Sequence, residues 1–230
     1  MIAVDLGLVP YDMCLSYQKS IHAARIEHKI DDVILLLEHY PVITIGKSAT
    51  KDDLLVSEEE VRRRGIPVYY VNRGGKATCH YPGQLVAYPI MNLKNHGKDL
   101  SLFVNNLEET IIRVLGDLGI QGKKVPGMRG VWVDGKKIAS IGIEVKKWVT
   151  MHGFTINITE NSALFSFFVP CGIRNREITF LETFLGEPDD IDLKKIKGSV
   201  IKHFGDVFSI PIPEYLSKRQ FMRKYPFLSY

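Results

Sequence analysis

The chain predicts an α+β protein, with a mixed or antiparallel sheet and flanking helices. Three observations carry this. Helical and strand-like segments are mixed without a regular strand–helix–strand repeat, which argues against a parallel doubly wound sheet. Short apolar runs such as Val33-Ile34-Leu35-Leu36-Leu37 have the length of buried strands. An Asp134-Gly135 pair between two apolar runs has the chemistry of a tight hairpin turn. With 230 residues, 45% of them hydrophobic, the chain can bury a sizeable core. No linker, low-complexity tract or internal repeat divides it, so residues 1–230 are expected to form a single domain. The stretch from about 187 to 230 has its own Pro-containing connection and reads as a small appended element.

Taken in order, Ile2-Ala3-Val4-Asp5-Leu6 reads as a short strand. Pro10 suits a helix start, where its missing N–H is not needed, and Leu15, Ile21, Ile26 and Ile30 place a helix over about 11–30. The strand Val33–Leu37 is broken by Pro41 and resumes as Val42-Ile43-Thr44-Ile45. Ser57 with Glu60 three residues later forms a capping pair for a short helix to Arg64, which Gly65 ends. Val68-Tyr69-Tyr70-Val71 leads into a glycine-containing loop over 73–84, and Leu85–Ile90 leads out of it. Residues 99–118 carry a helical stripe of Leu102, Val104, Leu107, Ile111, Val114, Leu115 and Leu118. Val131–Val133, the turn and Lys137–Val145 make a hairpin, which Val149–Ile158 extends. Residues 190–208 are helical again.

Charged residues make up 24% of the chain, its net charge is +4 and its pI is near 8.8. The basic clusters Arg62-Arg63-Arg64, Lys123-Lys124, Lys136-Lys137 and Lys146-Lys147 alternate with acidic ones such as Glu58-Glu59-Glu60. No long basic stripe with interleaved aromatics appears, so no nucleic-acid partner is expected. An acidic protein partner suits the charge better, and an ordinary solvated surface is the plain alternative. No apolar run approaches the roughly 20 residues that cross a bilayer, so no membrane association is expected. The start of the chain lacks a basic segment followed by an apolar one, which argues against secretion. Cys14, Cys79 and Cys171 are an odd and sparse set. They favour a reducing compartment, and a cytoplasmic protein is expected.

The densest polar stretch is Arg73-Gly74-Gly75-Lys76-Ala77-Thr78-Cys79-His80-Tyr81-Pro82-Gly83-Gln84. Adjacent glycines let a backbone approach a ligand closely, and Arg73, Thr78, His80 and Gln84 supply polar groups beside them. A tight hairpin, whose glycines only satisfy positive φ, is the other reading. Several familiar patterns fail. Gly46-Lys47-Ser48 resembles the end of a phosphate-binding loop, but Pro41 stands where its first glycine is required. There is no dinucleotide fingerprint, no nucleophile elbow and no second Cys or His at zinc spacing from Cys79-His80, so no metal or other cofactor is expected.

Cys171 lies in Val169-Pro170-Cys171-Gly172, a sharp turn on which a sulfur can be reached; a buried structural cysteine is the alternative. Along Lys137–Val145, Ala139, Ile141, Ile143 and Val145 share one parity, so simple alternation places Lys137 on the same face as this apolar row. A lysine aimed at a core is costly unless it meets an anion. A thiolate is such an anion, and a nearby ammonium stabilises it. A lysine at the strand mouth that reaches out to solvent is the competing reading.

Four segments taken together resemble the lipoyl(octanoyl) transferases. They are Arg73–Gln84, Lys137–Gly142, His152–Asn157 and Pro170–Gly172, preceded by His39–Gly46. The resemblance implies the fold of the biotin and lipoate protein ligases. It implies transfer of an octanoyl or lipoyl group from acyl carrier protein to a lysine of a lipoyl domain, the first step of endogenous lipoate synthesis. Acceptors would be lipoyl domains of 2-oxoacid dehydrogenase E2 subunits and the glycine cleavage H protein. By the same resemblance Cys171 is the acyl-thioester residue and Lys137 its partner. Arg73, Gly74, Gly75, Lys76, Ala77, Thr78, Cys79, His80, Ser140, Ile141, Gly142, Gly153, Phe154 and Thr155 line the acyl site. Tyr81 stands where the family usually has glycine, which leaves the local loop shape open. An ATP-dependent ligase of the same fold is the alternative. It too would use Lys137, but it would have no need of Cys171.

Overall fold

The computed structural model describes residues 1–50, 53–168, 178–186, 191–212 and 214–228. Strand β1 (Ile2–Val9) runs past the expected end because Gly7, at φ 66°, forms a bulge whose N–H donates to Asp5 Oδ1 at 2.9 Å. Helix α1 (Tyr11–Ile26) stops short of the expected 30. His28 turns to φ 58°, and the N–H groups of His28 and Lys29 return to the carbonyls of Arg25 and Ala24, closing the helix end. Strands β2 (Val33–His39) and β3 (Val42–Ile45) are separated by Pro41, as expected. Helix α2 (Glu58–Arg63) is capped by Ser57 Oγ, which accepts from the Glu60 N–H. Strand β4 (Val68–Tyr70) follows.

The stretch expected to be all loop contains a strand, β5 (Ala77–His80), paired antiparallel with β3. Next come β6 (Gln84–Ile90) and α3 (Leu100–Asp117), the latter capped by Asp99 on the Leu102 N–H. Strands β7 (Lys123–Val125), β8 (Met128–Val133), β9 (Lys136–Lys146) and β10 (Val149–Asn157) form an antiparallel run. The chain ends with α4 (Ser162–Phe165), α5 (Glu182–Leu185), α6 (Leu193–Phe208), β11 (Glu214–Ser217) and α7 (Lys218–Lys224).

Eight strands form the main sheet in the order β11-β1-β2-β6-β10-β9-β8-β7, and β4-β3-β5 form a small second sheet. In the main sheet β1 is parallel to both neighbours, while the other pairs are antiparallel. The result is the mixed α+β architecture expected. Helices α3 and α6 cover one face, packing Phe103, Leu107 and Phe204 on Ile34, Leu36 and Phe154. The other face of β2, with Val33, Leu35 and Leu37, meets Ile21 of α1 and Phe221 of α7. Burial on both faces explains why β2 reads as an unbroken apolar run. Each fully buried leucine there contributes about 2 kcal/mol. Among the described residues no helix is long and apolar enough to cross a membrane.

One expectation about β9 is corrected. Trp132 lies opposite Lys137, but Val131 lies opposite Ala139, so Ile138 is an extra residue on β9. Such a bulge interrupts the alternation of faces. Ile138 and Ala139 both turn into the α3 core, and Ile141, Ile143 and Val145 follow them. Lys137 therefore does not share a face with that apolar row. It borders a cavity together with Ser140 and Gly142.

Candidate functional site

A cavity of about 250 Å³ lies among β5, β8, β9, β10 and the first turn of α1. Its floor comes from the pairing of β9 with β10. Gly142 lies directly opposite Gly153, and Ser140 opposite Thr155. Two facing glycines let neighbouring backbone close in on the sheet here. A Cβ at Gly153 would run into the Ala87 carbonyl, and one at Gly142 would come within 3.0 Å of the Gly74 carbonyl.

The Arg73 loop forms the opposite wall. The Gly74 N–H donates to Ile143 O at 2.9 Å, which ties the loop to β9. The Arg73 guanidinium donates to Thr44 O and Thr44 Oγ1, each at 2.8 Å, and to Gly74 O at 3.0 Å. Gly46 is required beneath it, because a Cβ there would meet Gly75 O and the guanidinium. The failed phosphate-loop sequence is thus a packing platform for the Arg73 loop. Lys76 is held by Asp53 at 3.1 Å.

Three buried histidines stand nearby. Burial, with the Arg73 charge adding to it, pushes His152 down to about 3. Burial also takes His39 down to about 4 and His80 well below the usual histidine range. All three are neutral at physiological pH. The acceptor-only Val9 carbonyl fixes His39 as the Nδ1–H tautomer, so its Nε2 accepts from the Tyr88 hydroxyl at 3.0 Å.

Lys137 is only 4% exposed, so it does not reach out to solvent. Its Nζ lies 5.5 Å from the centre of the Trp132 ring, a cation–π distance. Its stem packs over Gly130, which has φ 115°. Cys171 lies outside the described residues. The chain before it is anchored by the Leu55 N–H on Phe167 O at 2.9 Å. The chain after it rejoins at Lys137 itself, where Ile178 bridges to that residue and the Thr179 N–H donates to Lys137 O at 3.0 Å.

Of the other residues expected at the acyl site, Arg73, Gly75, Lys76, Ala77, Thr78, His80, Ser140, Ile141, Gly142, Gly153, Phe154 and Thr155 border this cavity. Gly74 and Cys79 do not. Gly74 spends its amide on β9, and Cys79 alternates away from the cavity into the small-sheet core with Ile43 and Phe168. Tyr81 also turns into that core. Its ring meets Phe165 edge-on at 5.9 Å and its hydroxyl donates to Thr159 O, so the exchange for glycine leaves the cavity wall unchanged. Among the described residues no group of three His, Cys, Asp or Glu could hold a metal ion.

Motif reading missed Tyr11, Tyr88, Gly127, Met128, Arg129 and His152 as cavity residues. His152 falls within a quoted motif, whereas Tyr11 carries no sequence signal beyond its place at a helix start. The Tyr11 hydroxyl and Thr155 Oγ1 are both buried without a hydrogen-bond partner. An unsatisfied buried hydroxyl costs about 1–3 kcal/mol, which a ligand can recover. Tyr11→Phe is therefore expected to hold or raise the melting temperature while weakening binding of the cavity's ligand about fivefold. A clear drop in melting temperature would show that the hydroxyl already has a partner.

Residues 10–205 match the lipoyl protein ligase A/B catalytic domain. The octanoyltransferase of Caldicellulosiruptor bescii is 46% identical over 205 residues, covering 88% of this chain and 89% of its own. That of Desulforamulus reducens is 37% identical over 221 residues, covering 96% of each chain. This chain belongs to the octanoyltransferases of the lipoyl protein ligase A/B family. It is an enzyme of the transferase class. A crystal structure of lipoate-protein ligase A bound with ATP superposes with a TM-score of 0.75 at 15% identity, over 99% of this chain and 94% of the other. At that identity the likeness speaks for the shared fold, and octanoyltransferase membership rests on the closer relatives.

Proposed function

We propose that this octanoyltransferase moves an octanoyl or lipoyl group from acyl carrier protein to a lysine of a lipoyl domain, through a thioester on Cys171. The observation that carries this reading is Lys137, a buried amine at the cavity whose own backbone receives the chain returning from Cys171. The cavity, with Ile141 and Phe154 in its lining, suits an apolar acyl chain.

The chemistry balances with these two residues alone. The Cys171 thiolate attacks the carbonyl carbon of the donor thioester, and the donor's carbon–sulfur bond breaks. The departing thiolate takes a proton from the Lys137 ammonium. The acceptor amine then attacks the Cys171 thioester. Lys137, now neutral, takes a proton from that amine as the bond to Cys171 Sγ breaks. Thiolate and ammonium are restored, and a thioester has become an amide, which runs downhill without a nucleotide.

The test is incubation with octanoyl-acyl carrier protein and an unmodified lipoyl domain, in chelator and without nucleotide. The acceptor should gain one octanoyl group by intact mass. A strict requirement for ATP would place the reaction with the ligases instead.

A further inference from the structure

His80 borders the cavity, yet neither step above uses it. Its hydrogen bonding can be read with no ambiguity of amide or ring orientation, because the chain of contacts ends on a group that can only accept. The Thr179 carbonyl receives Asn157 Nδ2 at 3.2 Å, so that nitrogen is the amide donor. Asn157 Oδ1 is then an acceptor, and Gln84 Nε2 donates to it at 3.1 Å. Gln84 Oε1 in turn accepts, at 2.8 Å, from His80 Nδ1. His80 is thereby held as the Nδ1–H tautomer, with a bare Nε2.

Every member is buried: Gln84 2%, Thr179 3%, Asn157 5% and His80 5% exposed. Water therefore competes little for these bonds, and reversing one amide would set two acceptors against each other. The origin of the relay matters too. Thr179 donates its N–H to Lys137 O and, through the following peptide group, offers its carbonyl to Asn157. Thr179 thus ties the origin of the relay to the Lys137 backbone. Nε2 makes no hydrogen bond among the described residues, and Tyr11 stacks parallel to the ring at 6.0 Å, holding its plane.

We propose that Gln84 and Asn157 are positioning residues that fix the His80 tautomer, so that Nε2 accepts a hydrogen bond from the attacking lysine amine. This deepens the reading of the site given above and rests on it. A primary amine has two N–H bonds. One proton passes to Lys137, and the other N–H is held by His80 Nε2. With both directions set, the nitrogen lone pair is aimed at the thioester carbonyl. His80 takes no proton in this scheme.

The experiment compares wild type, Gln84→Met and Gln84→Glu. The ring nitrogens of His80 are observed by 15N NMR, and Cys171 acylation and transfer to the lipoyl domain are timed separately. Wild type should show a protonated Nδ1 and a bare Nε2. Gln84→Met has a similar shape and no acceptor, so it should give mixed tautomers. It should slow transfer about tenfold while leaving acylation within about twofold. Gln84→Glu still accepts from Nδ1–H, but its second oxygen stands against Asn157 Oδ1 and its charge favours the imidazolium, so Nε2 should gain a proton and transfer should slow with it. An Nε2–H tautomer in wild type overturns the proposal, as do unchanged His80 signals in Gln84→Met. Equal slowing of both steps by Gln84→Met overturns it as well, since that is the mark of a general structural defect. If wild type transfers no octanoyl group, the functional reading falls, and the attacking-amine role falls with it. The nitrogen signals would still decide the relay.

Discussion

Cys171→Ser is expected to be almost inactive, and the Lys137 variants should divide the reaction into its two halves. A free thiol with pKa near 8.5 is only a few per cent thiolate at neutral pH, and a close ammonium raises that fraction severalfold. Lys137→Ala removes both the charge and the proton carrier, so acylation and transfer should each slow by about 100-fold or more. Lys137→Arg keeps the charge but cannot serve as a base, so it should retain part of the acylation and lose transfer. A serine hydroxyl is too weakly acidic for Lys137 to ionise. Intact mass with and without hydroxylamine, which cleaves thioesters, reads all of these. An octanoyl adduct that persists on Cys171→Ala, or full turnover by that variant, would falsify the thioester route.

Gly130→Ala should come close to the Lys137 variants in effect, although residue 130 carries no reactive group. Its φ of 115° lies where residues with a Cβ are strained, and the added atom would approach Lys137 Cε to 2.7 Å and press on the Ala139 carbonyl. The Gly130 N–H is held by Glu108 Oε1 on α3 at 3.1 Å, so the strand cannot simply swing away. The expected result is a stability loss of about 1–3 kcal/mol. Transfer should fall about a hundredfold, because a shift of about an ångström at a reacting group has that cost. Gly119→Ala is the control. It too has positive φ, 75°, but a Cβ there meets nothing within 4 Å. It should lose some stability and keep its rate. Equal rates for the two variants would separate Lys137 placement from activity.

What could be read from the chain follows from how local each signal is. The cap at Ser57 and the break at Pro41 depend on a few adjacent residues, and they are legible. The set that borders the cavity came from motifs, because Arg73, Ser140 and Gly153 are far apart in sequence and meet only through strand pairing. The face of Lys137 was misread because a bulge is decided by the partner strand. Nothing in Lys136-Lys137-Ile138-Ala139 shows that Val131 and Trp132 will count those residues differently. Strand β5 was hidden in a glycine-containing segment because its pairing to β3 comes from elsewhere in the chain. Tyr11 reaches the cavity only because α1 packs against β10 and β6.

The pairing of β11 with β1 also has a consequence for how the enzyme is made. Ile2 lies beside Glu214, so β1 leaves the ribosome long before the strand that covers its outer edge. At about 5–20 residues per second, that edge stays open for roughly 10–40 seconds of synthesis. The segment concerned, Ile2-Ala3-Val4-Asp5, is apolar apart from its aspartate. Asp5 later binds Lys197 at 2.8 Å and Tyr215 at 3.1 Å, yet during elongation it is a lone charge in an otherwise sticky edge. The aspartate that clasps the finished sheet is thus placed to discourage one nascent chain from pairing with another on the same message.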